Sequence, residues 1–143
     1  MKQANVQVYT GVLSQVIDST SKNGSDLNDD FELVRNAIDN DKVAEIGSEK
    51  LLAIKQHFQS GTDVYKNNLQ KLEAVATPVK LIGRQKQMIS AYRSYAQACQ
   101  IMTNSILPDE NTIDVDAFNQ SEKDQEAAIA KVSDYTTRIM NML

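Results

Sequence analysis

The chain has no Trp, a single Cys, a single His and only two Pro among its 143 residues. One cysteine, Cys99, forms no intrachain disulfide, which excludes a disulfide-stapled scaffold and leaves the redox compartment undecided. His57 and Cys99 are too few soft ligands for a zinc site, and the Cys-x-x-Cys-His haem attachment and the paired Glu-x-x-His motifs of a di-iron bundle are absent. Gly-x-Gly-x-x-Gly and phosphate-loop patterns are missing too, so no cofactor and no metal are expected. There is no run of 18 apolar residues, the length a membrane-crossing helix needs. Nor is there an apolar stretch after Met1-Lys2-Gln3-Ala4-Asn5 of the kind a signal peptide requires. An exported protein loses its leader on maturation, so this second absence does not choose a compartment.

What is present is ordinary for a folded protein: 41% hydrophobic residues, 24% charged, and a mean hydropathy of -0.42. The length suits one domain, 1–143, with a core of its own. A net charge of -4 and a pI near 4.9 repel phosphate backbones, so nucleic acid is excluded as a general partner. Ser, Thr, Asn and Gln outnumber the charged residues, a composition associated with extracytoplasmic bacterial domains.

Helical spacing dominates the chain. Val6, Tyr9, Leu13, Val16, Ile17 and Thr20 recur at three and four residues, and Leu27, Phe31, Val34 and Ile38 continue in phase. This predicts a first helix from Gln3 to Ile38, with Lys22-Asn23-Gly24-Ser25 as a weak point where a break and a continuous rod are both open. Asp39-Asn40-Asp41 reads as a turn. A second helix is expected from Val43 to Ala76, and Gly47-Ser48 offers a restart point with Ser48 as cap. Thr77-Pro78 reads as cap and first turn of a third helix, which Leu107-Pro108 stops. The last helix follows Asp114 or Asp116, and alanines 127, 128 and 130 allow a neighbour to come close. No strand is expected. The fold expected is all-α, an antiparallel up-and-down four-helix bundle of rods roughly 45 to 55 Å long. The alternative is a three-helix bundle whose long helix kinks at Pro78.

Charge is segregated along the chain. Asp26 to Glu49 holds eight acidic residues against Arg35 and Lys42; Lys66 to Arg93 holds six basic residues against Glu73; Asp109 to Glu126 holds seven acidic residues against Lys123. Lys80, Arg84, Lys86 and Arg93 are the candidate binding residues, a basic face for an anionic partner such as a wall polymer, lipid headgroups or an acidic protein. The plainer reading is that these charges select the antiparallel pairing of the helices. Asp26-Leu27-Asn28-Asp29-Asp30 opens like a calcium loop, yet Phe31 and Ala37 stand where Gly and Glu are required, which leaves a helix start or an exposed acidic turn. Cys99 shares the stripe of Tyr92, Tyr95 and Met102 and reads as a buried thiol, since a nucleophile there would need His57 as its base. Met88, Met102, Met140 and Met142 read as core, or as an adaptable groove.

Leu72-Glu73-Ala74-Val75-Ala76-Thr77-Pro78, followed by Arg84-Gln85-Lys86 and by Ser90-Ala91-Tyr92-Arg93-Ser94-Tyr95-Ala96, resembles a pattern in helical domains of Gram-positive extracytoplasmic lipoproteins of uncharacterised role. The resemblance implies a small bundle held at the outer face of the membrane by a lipidated Cys that precedes Met1, and it implies no catalytic residues. The function expected is therefore that of a non-catalytic binding domain of an exported, membrane-tethered protein, a monomer or weak dimer that meets a protein or an anionic envelope component. The alternative is a cytoplasmic regulatory or assembly module that pairs with another helical protein; exposure of Met88, Met102 and Met142 would favour it.

Overall fold

The computed structural model describes residues 4–143 as an all-α four-helix bundle: α1 Val6–Asp39, α2 Ser48–Ala74, α3 Ile82–Ser105 and α4 Val115–Met142. At 1.5 Å per residue the rods are about 36 to 51 Å long. Each helix packs on the next in sequence, and α3 and α4 form the most intimate pair. Ala91 and Ala98 of α3 and Ala128 of α4 are buried there, where small side chains let two backbones approach. By contrast α1 and α4 stay apart, and only side chains meet across the gap.

α1 is continuous through Gly24. Asn5 caps its start by accepting from the amides of Gln7 and Val8, at 2.8 and 3.2 Å. Asn23, on paper a weak helix former, donates from Nδ2 to the Gly61 carbonyl of α2 at 2.9 Å, so a tertiary bond supports the weak point. The far end closes with a left-handed residue, Asp41 at φ 55, while Lys42 N–H reaches the Ala37 carbonyl and Asp41 N–H that of Ile38. A single 3-10 turn, Val43–Glu45, then leads to Gly47 at φ 91, the position just ahead of α2. Gly47 occupies the cap position and Ser48 is already helical, so the expected Ser48 cap is corrected: a residue with positive φ is what the chain needs there.

The second connection also departs from expectation. α2 ends at Ala74, Val75 is extended, and Pro78 is buried with ψ 139, outside the helical region. The Thr77 hydroxyl turns back to the Val75 carbonyl instead of capping α3, and a 3-10 turn, Val79–Leu81, precedes that helix. Pro78 therefore separates two helices and does not kink one.

Between α3 and α4 the chain makes a two-stranded antiparallel ladder, β1 Ile106–Leu107 and β2 Thr112–Ile113, with Ile106 opposite Ile113. This corrects the expectation of no strand. Pro108 ends α3, Asn111 at φ 48 reverses the chain, and Ile106 and Ile113 are both buried, which draws the two arms together over a length too short to leave a periodic signal. Asp114 caps α4 by accepting from the Ala117 amide.

The core has two parts. One gathers Tyr9, Leu13, Leu72, Leu81, Met88, Tyr92 and Ile139; the other Val34, Leu51, Ile54, Phe58, Met102, Ile106 and Phe118. Leu27 packs against both; the buried Thr62–Thr103 pair joins α2 to α3, and Asn68 donates to Tyr92 within the first part.

Candidate functional site

In an up-and-down bundle the start of α1, the end of α2, the start of α3 and the end of α4 lie together at one end. The acidic runs straddle the α1–α2 and α3–α4 turns, and the basic run straddles the α2–α3 turn, so the topology sorts charge by end. Residues 4–22, 62–93 and 129–143, the half nearest the α2–α3 turn, hold nine basic and four acidic residues. The opposite half, residues 23–61 and 94–128, holds fifteen acidic and five basic ones. The molecule is an electrical dipole along its axis.

The basic end is also where apolar side chains face water. Val6 and Val8 of α1, Val79 and Ile82 at the start of α3, and Met140, Met142 and Leu143 at the end of α4 are exposed, Val79 to 87%. Isolated exposed apolar residues are normal; here seven of them share one end of a small bundle.

The four basic residues share this half of the molecule but not one helix face. Lys86 and Arg93 are seven residues apart and align on the wheel to within about 20°, whereas Arg84 lies about 160° from Lys86. Lys80 belongs to the 3-10 turn at the tip, and Arg93 sits about 16 Å further along α3 than Ile82. Among the described residues Lys80, Arg84 and Lys86 have no carboxylate within ion-pair distance; Arg84 touches Gln87 at 3.2 Å. Arg93 reaches Glu73 of α2 at 3.8 Å with both side chains half exposed, a weak contact. Charge on α3 thus adds little to helix pairing. The shorter ion pairs between helices belong to Arg35, which donates to Glu122 at 2.7 Å, and to His57, which meets two acidic residues of α1; Lys50 also reaches Asp30 of α1, at 3.9 Å.

His57 sits between two carboxylates. Its Nδ1 is 2.8 Å from Asp30 and its Nε2 is 3.0 Å from Asp26, one helical turn apart on α1. Bonds to Asp26 and to Asp30 hold its pKa above the usual histidine value, although partial burial works the other way. The Asp26–Asp30 stretch is thus mid-helix, neither a helix start nor a turn, and a straight helix does not wrap oxygens around a cation. Cys99 is buried beside Tyr95, and burial pushes its thiol up to about 12, which leaves it protonated and unreactive at neutral pH. Met88 and Met102 are core residues, whereas Met140 and Met142 are exposed at the basic end.

The exposed apolar cap was missing from the sequence reading because Val79, Ile82 and the last methionines fit the helical stripes. The signal was there in combination: charge runs centred on alternate turns, in a fold whose alternate turns face opposite ways. Comparison with protein-family models, curated proteins and solved structures finds no match.

Proposed function

We propose that the chain is a non-catalytic binding domain of an exported, membrane-tethered bacterial protein, and that it docks end-on against an anionic surface, its own membrane's headgroups. The observation that carries this reading is the coincidence, at one end of the bundle, of exposed apolar side chains with Lys80, Arg84 and Lys86, which have no ion pair among the described residues. Val79 and Met142 supply area that gains by leaving water, at about 25 cal/mol per Å². Lys80, Arg84 and Lys86 add about 1 kcal/mol each beside anionic lipid, so the three together are worth roughly 150-fold in affinity. The acidic half points the molecule away from the surface and sets its orientation. Membrane attachment through a lipidated residue ahead of Met1 rests on the family resemblance alone, and the intact mass of the native protein from its host tests it.

Docking is tested by co-sedimentation with vesicles of phosphatidylglycerol and of phosphatidylcholine. The wild type is expected to bind the anionic vesicles alone, with affinity falling as salt rises. Combined Lys80→Glu, Arg84→Glu and Lys86→Glu substitution is expected to lower binding at least 100-fold while moving the thermal midpoint by less than about 2 °C, since exposed charges contribute little to stability. Equal binding to both vesicles, or a collapse of the midpoint, refutes the reading. Protein that avoids vesicles and sediments as a dimer instead supports the apolar end as a surface for helical partners.

A further inference from the structure

The gap between α1 and α4 opens into a cavity of about 290 Å³ that reaches the centre of the bundle. Its walls carry Phe31, Phe58, Tyr95 and Ile129, and Gly24, the one residue of α1 there without a side chain, leaves it open. The polar groups at its floor are already paired, the Tyr95 hydroxyl with that of Tyr65 at 3.3 Å and Thr62 with Thr103 at 3.3 Å. A ligand therefore displaces no needed hydrogen bond by presenting an apolar body. The rim is acidic. Glu122 and Glu126 of α4 line it, Glu122 is engaged by Arg35, and Glu126 is exposed with no ion pair among the described residues. No Lys, Arg or His lines the cavity among the described residues.

We propose that this cleft binds a small amphiphilic monocation, with an aromatic or short aliphatic body between Phe31, Phe58 and Tyr95 and an ammonium group at the Glu126 rim. The volume matches about ten waters at ~30 Å³ each, the scale of a phenylalkylamine. Aromatic walls pack against a ring-bearing body, and an acidic rim without a basic partner for the ligand disfavours a carboxylate of the same shape. The cleft opens near the middle of the bundle with its rim in the acidic half, apart from the membrane-facing tip, so the proposal stands independently of docking.

The test follows the methyl resonances of Met102 and Ile129 while 2-phenylethylammonium, and separately phenylacetate, is added to the full chain. The cation is expected to shift both methyls saturably, with the anion at least tenfold weaker. Glu126→Gln is expected to remove that preference. Gly24→Leu, or Ile129→Phe if the first variant unfolds, is expected to fill the cleft and abolish the shifts while vesicle binding persists. Failure of the cation to shift either methyl overturns the proposal, as do equal affinities for the two probes or a preference that survives Glu126→Gln.

Discussion

Replacing His57 by Gln tests the histidine that ties α2 to α1 through two carboxylates. Both ring nitrogens lie within 3.0 Å of a carboxylate oxygen, and when the ring is protonated each nitrogen donates to one of them. Asp26 is 70% exposed and Asp30 only 20%, so water screens the first bond strongly and the second less. We set the Asp26 bond at about 0.3 kcal/mol and the Asp30 bond at about 1 kcal/mol, the range of exposed and partly buried ion pairs. His57→Gln should then lower stability by about 1 kcal/mol near pH 6, or about 3–5 °C in a domain of this length. The pH dependence has a definite sign. A histidine whose folded pKa is raised contributes fully below its unfolded value, about 6.5, and loses the contribution as pH rises through the folded pKa. The difference in thermal midpoint between wild type and His57→Gln should therefore be largest near pH 6 and shrink as pH rises through the folded pKa. Asp30→Asn should reproduce most of the loss and Asp26→Asn little of it. A difference that grows with pH, or one carried mainly by Asp26, would refute the reasoning.

Glycine positions divide by what surrounds them. A Cβ at Gly61 would lie 2.6 Å from Leu27 Cδ1, whereas one at Gly11 meets nothing within 4 Å. Urea unfolding should show Gly11→Ala stabilising by about 0.5–1 kcal/mol through helix propensity, and Gly61→Ala destabilising by about 1 kcal/mol because displacing Leu27 costs more than propensity returns. Cys99 should resist an aromatic disulfide reagent at pH 8 in the native protein and react at once in denaturant, since burial both shields it and raises its thiol to about 12. Phe118, fully buried and stacked on Phe31 at 5.9 Å, should lose about 3–5 kcal/mol on replacement by Ala, read from the urea midpoint.

The helices were legible because their apolar stripes keep a 3.6-residue period: Tyr9, Leu13 and Val16 are all buried where that spacing puts them. The Asp39-Asn40-Asp41 turn and the Asp114 cap were legible as well, because both depend on local side-chain chemistry. The Thr77-Pro78 cap failed because a local pattern met a tertiary demand: Pro78 is buried, and the chain must turn before α3 begins. Continuity at Gly24 was undecidable locally, since the support comes from a bond between Asn23 and Gly61, 38 residues away. The His57 clamp was hidden for the same reason. Its carboxylates lie 27 and 31 residues upstream, and their meeting depends on the register that the α1–α2 turn imposes. Of the binding end, the basic residues were legible from composition, but their sharing an end and not a face needs the helix geometry around Arg84.

End-on docking is tested most directly with spin-labelled lipid in phosphatidylglycerol vesicles, reading which amide resonances the label broadens. The account predicts broadening centred on Val6–Val8, Val79–Ile82 and Met140–Leu143, fading along each helix toward the acidic turns. Broadening centred on Asp39–Glu49 or Asp109–Asp116, or spread evenly along one side of the bundle, would contradict it.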